Sequence, residues 1–477
     1  MGIGVSHWRL ARAVSARGQL GVVSGVGVDA LFVRRLEDGD PGGDLRRALS
    51  HFPIPGAGDQ VLRRYFRQGG RPPGTPYRDL PMFDHRVSAE RERVAILSTF
   101  VEVWLAKEGH SAAVGLNLLT KVQPPTLPSL YGAILAGVDV VLMGAGIPRE
   151  IPLALDHLAA HQPATLRLEV TGSTADQVEL LRFDPRRHWE GTPALRRPRF
   201  LAIVSSNSLA TMLTRKATGR VDGFVVEGPT AGGHNAPPRG PPRFNDRGEP
   251  IYGQRDEVDL PALARLGLPF WIAGGAGSPA ALSAAVAAGA AGVQVGTLFA
   301  FCQESGLDPS LRQPALAGAK AGTVDVFTDS RASPTGYPFK RVVLEGLPTV
   351  TAERTRVCDL GYLRTAYRKP DGKIGYRCPG EPVDTYLAKG GALEDTVGRQ
   401  CLCNALLANV GHGQVREDGT VEAPLLTSGD DLKSLRHFLG NRDDYSVADV
   451  LRFLLQEAAG RLPVLPNAPQ EVSTTPA

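Results

Sequence analysis

Residues 261–296 read PALARLGLPFWIAGGAGSPAALSAAVAAGAAGVQVG. The stretch divides into helix (PALARLG), strand (PFWIAGG), helix (PAALSAAVAAG) and strand (AAGVQVG) at close, regular spacing. Its strands are continuously apolar instead of alternating, which is the pattern of strands buried on both faces. Strand–helix units of this kind build a parallel sheet covered by helices.

The rhythm extends toward the N-terminus. DGFVVEG (222–228), RFLAIVSS (199–206), TLRLEV (165–170), DVVLMGAG (139–146), AVGLNLL (113–119) and LGVVSG (20–25) read as strands. Between them SLATMLTRKATG, LALDHLAAH, SLYGAILAGV, VAILSTFVEVWLAKEG and WRLARAVSARG have helical periodicity. Seven or eight such units fit before residue 300, so the expected fold is α/β, a (β/α)8 TIM barrel. An open doubly wound sheet would need an early G-x-G-x-x-G, which MGIGVS only half resembles. The expected organisation is a barrel over 1–340, with Pro/Gly-rich insertions at about 34–90 and 235–255. A mostly helical extension over 341–463 and a disordered tail over 464–477 would follow.

Composition narrows the function. Hydrophobic residues make up 42% and charged residues 21%, and the net charge of +4 is spread along the chain without a basic run. That pattern does not suggest nucleic-acid binding. No apolar run reaches the roughly 18 residues of a membrane span, and the start MGIGVSHWRLARAV lacks the basic and apolar regions expected of a signal peptide, so the expected location is the cytoplasm. Gly2 and Ser6 match a myristoylation pattern, but the first turn of the barrel has a better use for them.

In a barrel, chemistry belongs at the carboxyl ends of the strands. There the sequence places Asn117, Ser205 and Ser206, then EGPTAGGH, AGGAGSP and QVGT. Gly274 and Gly275 open directly into a helix, and Gln294, Val295, Gly296 and Thr297 close the following strand. Glycines admit a phosphate close to backbone N–H groups, and the helix start favours negative charge. His234 follows Gly232 and Gly233, which would leave room for a flat ring beside an imidazole suited to moving protons.

EGPTAGGHN, AGGAGSP and GAAGVQVGTLF, in that order, resemble the nitronate monooxygenase family of FMN-dependent TIM-barrel enzymes. Flavin-dependent enoyl reductases are cousins of that family. MGIGVSHWRLARAVSARGQLGVVSG resembles its first βαβ unit, and RASPTGYPFK (331–340) is similar to longer members. The resemblance spans about 1–345. It implies that Asn117 touches the flavin ring or ribityl chain and that Gly232 and Gly233 lie in the active-site loop. Gly274, Gly275, Gln294, Val295, Gly296 and Thr297 would hold the phosphate, and His234 would assist proton removal. The implied reaction oxidises a nitronate with O2 to a carbonyl compound and nitrite. Three departures stand out: Glu227 replaces a usual glutamine, AGGHN replaces AGGHRG, and the family's first strand would lie upstream of Met1. The last feature implies either a barrel that closes irregularly or, as the preferred reading, a protein that starts further upstream.

Cys358, Cys378, Cys401 and Cys403 cluster in a chain with one other cysteine, Cys302. Their C-x19-C-x22-C-x-C spacing matches no standard signature, but four thiols so close could ligate zinc or an iron–sulfur cluster. Three functions remain open at this stage. One is an FMN-dependent nitronate oxidoreductase acting on a small molecule with O2. Another is an FMN- and NAD(P)H-dependent enoyl-thioester reductase partnered by an acyl-carrier protein. The third is a non-catalytic barrel that binds a phosphorylated ligand.

Overall fold

A computed structural model describes residues 2–174, 176–188, 195–347 and 354–456. The tail expected over 464–477 lies outside them. Seven parallel strands form one curled sheet: β1 (Gly21–Ser24), β2 (Val114–Leu119), β3 (Val140–Gly144), β4 (Arg199–Val204), β5 (Gly223–Glu227), β6 (Phe270–Ala273) and β7 (Gly292–Gln294). They pair in chain order, with helices packed outside, as in a TIM barrel. The expected fold is borne out. Register sets Ser24 against Asn117 and Asn117 against Leu142; Gln294 and Glu227 both pair with Ala273. The carboxyl ends therefore meet at one mouth. The sheet is open between β7 and β1.

TLRLEV is not a barrel strand. Ala164–Leu168 pairs antiparallel with Glu179–Phe183 in a separate hairpin. Its alternating burial, with Thr165 and Arg167 exposed, shows a ribbon with one wet face. Asn117 likewise does not end its strand, which continues to Leu119.

The helix Ala89–Lys107 starts earlier than its apolar run, because Ser88 caps it by accepting the Arg91 N–H at 3.2 Å. It is buried along nearly its whole length against Thr126–Leu135. Gly132 permits that contact: a Cβ there would stand 2.2 Å from the Ile96 carbonyl oxygen. Within this layer Arg91 pairs with buried Asp29, which also accepts the Tyr362 hydroxyl at 2.6 Å. The charge is buried only because both partners are present.

The C-terminal part is largely helical but is woven into the barrel. Phe339–Val343 pairs antiparallel with Asp325–Asp329, so one strand crosses the boundary expected at 340/341. The hairpin of Thr365–Arg368 and Ile374–Arg377 adds in parallel to Val170–Thr171. A second core joins Leu298, Phe301 and Leu311 to Leu432, Phe438 and Leu451. No helix among the described residues is long and apolar enough to cross a membrane.

Candidate active site

A cavity of about 1530 Å³ occupies the mouth and continues down the open side of the sheet. This exceeds the roughly 300–1,000 Å³ usual for small-molecule sites, so cofactor and substrate can share it. Asn117, Gly232, Gly233, His234, Gly274, Gly275, Gln294, Val295, Gly296 and Thr297 all line it. Residues scattered over 180 positions of sequence are thus brought together by parallel strands that end at the same level.

The two glycine turns suit an anion. Gly274 and Gly275 have φ of +85° and +66°, a left-handed backbone that favours glycine. The backbone N–H groups of Gly275, Ala276 and Gly296 donate to no protein acceptor among the described residues. A Cβ on Gly296 would meet open space. These free donors fit the phosphate of a flavin mononucleotide. The Thr297 hydroxyl is also tied internally, accepting the Gly429 N–H at 3.1 Å. Asp431 lies beside the cradle, where burial raises its pKa and so favours the neutral form an incoming phosphate requires.

The glycines before His234 serve different purposes from the one expected of both. A Cβ on Gly232 would come within 2.8 Å of Ser428 and Gly429 backbone atoms. Its bare Cα therefore admits the 427–431 segment. Gly233, with φ +78°, has nothing within 4 Å of a Cβ and faces open space. Its N–H donates to the Thr427 hydroxyl at 3.1 Å.

His234 is held from behind. Its Nε2 lies 2.6 Å from Oγ of Ser333, which is fully buried. Ser333 Oγ accepts the Thr335 N–H at 3.2 Å and lies 2.8 Å from Thr335 Oγ1. The ring packs edge-on against Phe339 with centroids 4.9 Å apart. Burial, with Lys121 adding to it, lowers the His234 pKa to about 3. The imidazole is therefore neutral at ordinary pH. Lys121 itself donates to the Thr335 carbonyl at 3.3 Å and sits 3.8 Å over the Tyr337 ring, with its pKa lowered by burial. Glu227, at the end of β5, also lines the cavity, and burial pushes its carboxyl up to about 7.

Ser333, Thr335 and Lys121 carry no motif of their own. The segment RASPTGYPFK hinted at Ser333 and Thr335, nothing pointed to Lys121, and the 427–431 segment TSGDD gave no signal beyond its small residues. Among the described residues, which include all four C-terminal cysteines, no three His, Cys, Asp or Glu side chains are arranged to hold a metal ion.

A parallel α/β barrel with an anion cradle and a neutral histidine at its mouth is the architecture of a cofactor-dependent enzyme. The sequence model of the nitronate monooxygenase family matches residues 173–332, which bears out the resemblance and places the protein among flavin-dependent oxidoreductases. No curated protein sequence matches the chain. Similar solved structures include FabK from Thermotoga maritima, at 17% identity over 95% of this chain and 88% of that one, with a TM-score of 0.43. A nitroalkane oxidase from Streptomyces ansochromogenes is 15% identical over 96% and 94%, with a TM-score of 0.47. The enoyl reductase domain of MlnA from Bacillus amyloliquefaciens is 12% identical over 96% and 91%, with a TM-score of 0.45.

Proposed function

We propose that the protein uses FMN to oxidise alkyl nitronates with O2, giving carbonyl compounds and nitrite. The observation that carries this reading is the state of His234. An imidazole whose pKa burial has lowered to about 3 is too weak a base to strip a neutral carbon acid. A nitronate arrives with that proton already gone, and the Lys121 ammonium behind the site favours an anion.

Asn117 would meet the flavin ring or ribityl chain, and Gly274, Gly275, Gln294, Val295, Gly296 and Thr297 its phosphate, with Gly232 and Gly233 in the loop over it. When bound, FMN supplies the electron transfer and the reaction with O2. The protein manages the protons. Nε2 of His234 is engaged by Ser333, so Nδ1 is the nitrogen left for substrate. If the Ser333 hydroxyl donates to Nε2, Nδ1 carries a hydrogen and donates to the substrate. If Nε2–H donates to Ser333, whose proton turns to Thr335, Nδ1 becomes an acceptor. The three groups exchange these roles without forming a buried imidazolium.

The test is an anaerobic mix of FMN-loaded protein with propane-2-nitronate or 2-nitropropane. Bleaching of the flavin by the nitronate alone, followed by O2-dependent nitrite release, is expected. His234→Ala that keeps FMN and full turnover would remove the role of the histidine.

One observation favours a second reading, reduction of an enoyl thioester carried by an acyl-carrier protein. Glu227, protonated up to about pH 7, could deliver the proton that accompanies hydride addition. Bleaching by NADPH and not by the nitronate would select it. A protein that takes up no FMN would instead be a phospholigand-binding barrel.

A further inference from the structure

The cavity at the mouth runs on through the sheet. It descends between the inward-facing side chains and reaches the amino ends of the strands at Asp139, Arg199, Asp222 and Pro269. In a packed barrel such inward positions interlock in layers. Here Val22, Ile203 and Trp271 line the cavity and are only half-buried. Val23, Val141 and Phe200, which face the surrounding helices, are fully buried. The sheet is open between β7 and β1, so the layers do not close on themselves and a bore remains. Apolar side chains of three helices wall its open side: Val14 of Trp8–Ser15, Leu282 of Pro279–Ala287 and Leu451 of Val447–Leu455.

The floor of the bore is charged. Arg196, Arg197 and Arg220 line it beside Asp139 and Asp222. Arg197 lies 2.6 Å from Asp156 and 2.7 Å from Asp222, and Arg220 lies 2.7 Å from Asp222. Arg196 and Lys107 share Asp139. Each carboxylate lining the floor thus faces two cations, and these four cations meet three carboxylates, so the rim they form is positive. The guanidinium-bearing side chains of Arg196 and Arg220 stay 59% and 70% exposed, free to turn toward a further anion.

We propose that the bore holds the tail of the substrate, an aliphatic chain whose far end is a carboxylate seated among Arg196, Arg197 and Arg220 while the reacting end lies at His234. The proposal rests on the mouth as the reacting end, which both flavin readings share, and adds chain length and terminal charge to the substrate class. Length follows from the strands. The six residues of β4 span roughly 17 Å, or about 14 Å along a barrel axis at the usual tilt. That is the reach of roughly ten extended methylenes. Apolar walls reward each of them, and a carboxylate at the floor keeps its charge beside guanidinium groups instead of in the bore.

The experiment titrates the FMN-loaded whole protein with hexanoate, octanoate, decanoate and dodecanoate by calorimetry, each below its micelle concentration. Affinity should rise roughly threefold per added methylene and level off near ten carbons. Decylammonium, with the same chain and the opposite charge, should bind at least roughly tenfold more weakly than decanoate. The double variant Arg196→Gln, Arg220→Gln changes only exposed side chains and should erase that difference. Val22→Phe, which fills the bore, should weaken decanoate roughly tenfold and leave hexanoate much as before. These probes carry no nitro group, so binding is read separately from turnover. Affinity independent of chain length, or decylammonium as tight as decanoate, would overturn the proposal even where propane-2-nitronate bleaches the flavin. Graded binding with no bleaching by any nitronate would support the bore and remove the nitronate reading alone.

Discussion

Replacing Glu227 by glutamine should make the protein more stable at alkaline pH and leave it unchanged in acid. The carboxyl titrates near 7 in the fold, because burial penalises its charged form, and near its ordinary 4.5 once unfolded. Below about pH 4 both states are protonated and the carboxyl contributes nothing to the balance. As pH rises toward 7 the unfolded chain releases the proton and the folded chain keeps it, so native stability falls. Above about pH 8 both states have released it and the full loss, ~3 kcal/mol, is in place. Glutamine keeps the shape and has no proton to lose. Urea unfolding of the flavin-free protein, followed by tryptophan fluorescence at about pH 4, 6 and 8, gives the difference directly. It should grow from near zero to ~3 kcal/mol in favour of Glu227→Gln. A flat difference across that range would show that Glu227 is solvated and would remove it as a neutral-pH proton source.

Ser333→Ala should leave FMN bound with an unchanged spectrum but lower turnover by roughly tenfold to a hundredfold, because Nε2 of His234 loses its partner; unchanged turnover would show that the histidine needs no backing. Gly275→Ala forces a side chain into φ +66° with its methyl 3.1 Å from Thr230 Oγ1. At about 1–2 kcal/mol of strain, FMN titration should show affinity falling roughly tenfold. Asp29→Asn strands Arg91 without its buried counter-charge and should cost ~3 kcal/mol in urea unfolding, with the Tyr362 contact weakened as well.

The sequence by itself determined the barrel and the ring of loops around its mouth. Buried parallel strands must be apolar at every position, so β2, β3, β5 and β6 announced themselves, and the glycines at 274, 275 and 296 marked where the mouth of the barrel carries bare backbone. It misread Ala164–Leu168, since a short run rich in leucine has the same composition in a barrel and in a wet hairpin; only the partner strand Glu179–Phe183 decides. It also gave no sign that Gly232 packs against backbone nearly 200 positions away, at Ser428 and Gly429. Contacts of that range leave no periodic trace, which is why Ser333 behind His234 became visible only in the folded chain. Protonation was equally hidden: Glu227 and His234 read as an ordinary acid and base. Burial, a property of the tertiary structure alone, raises one toward neutrality and holds the other uncharged.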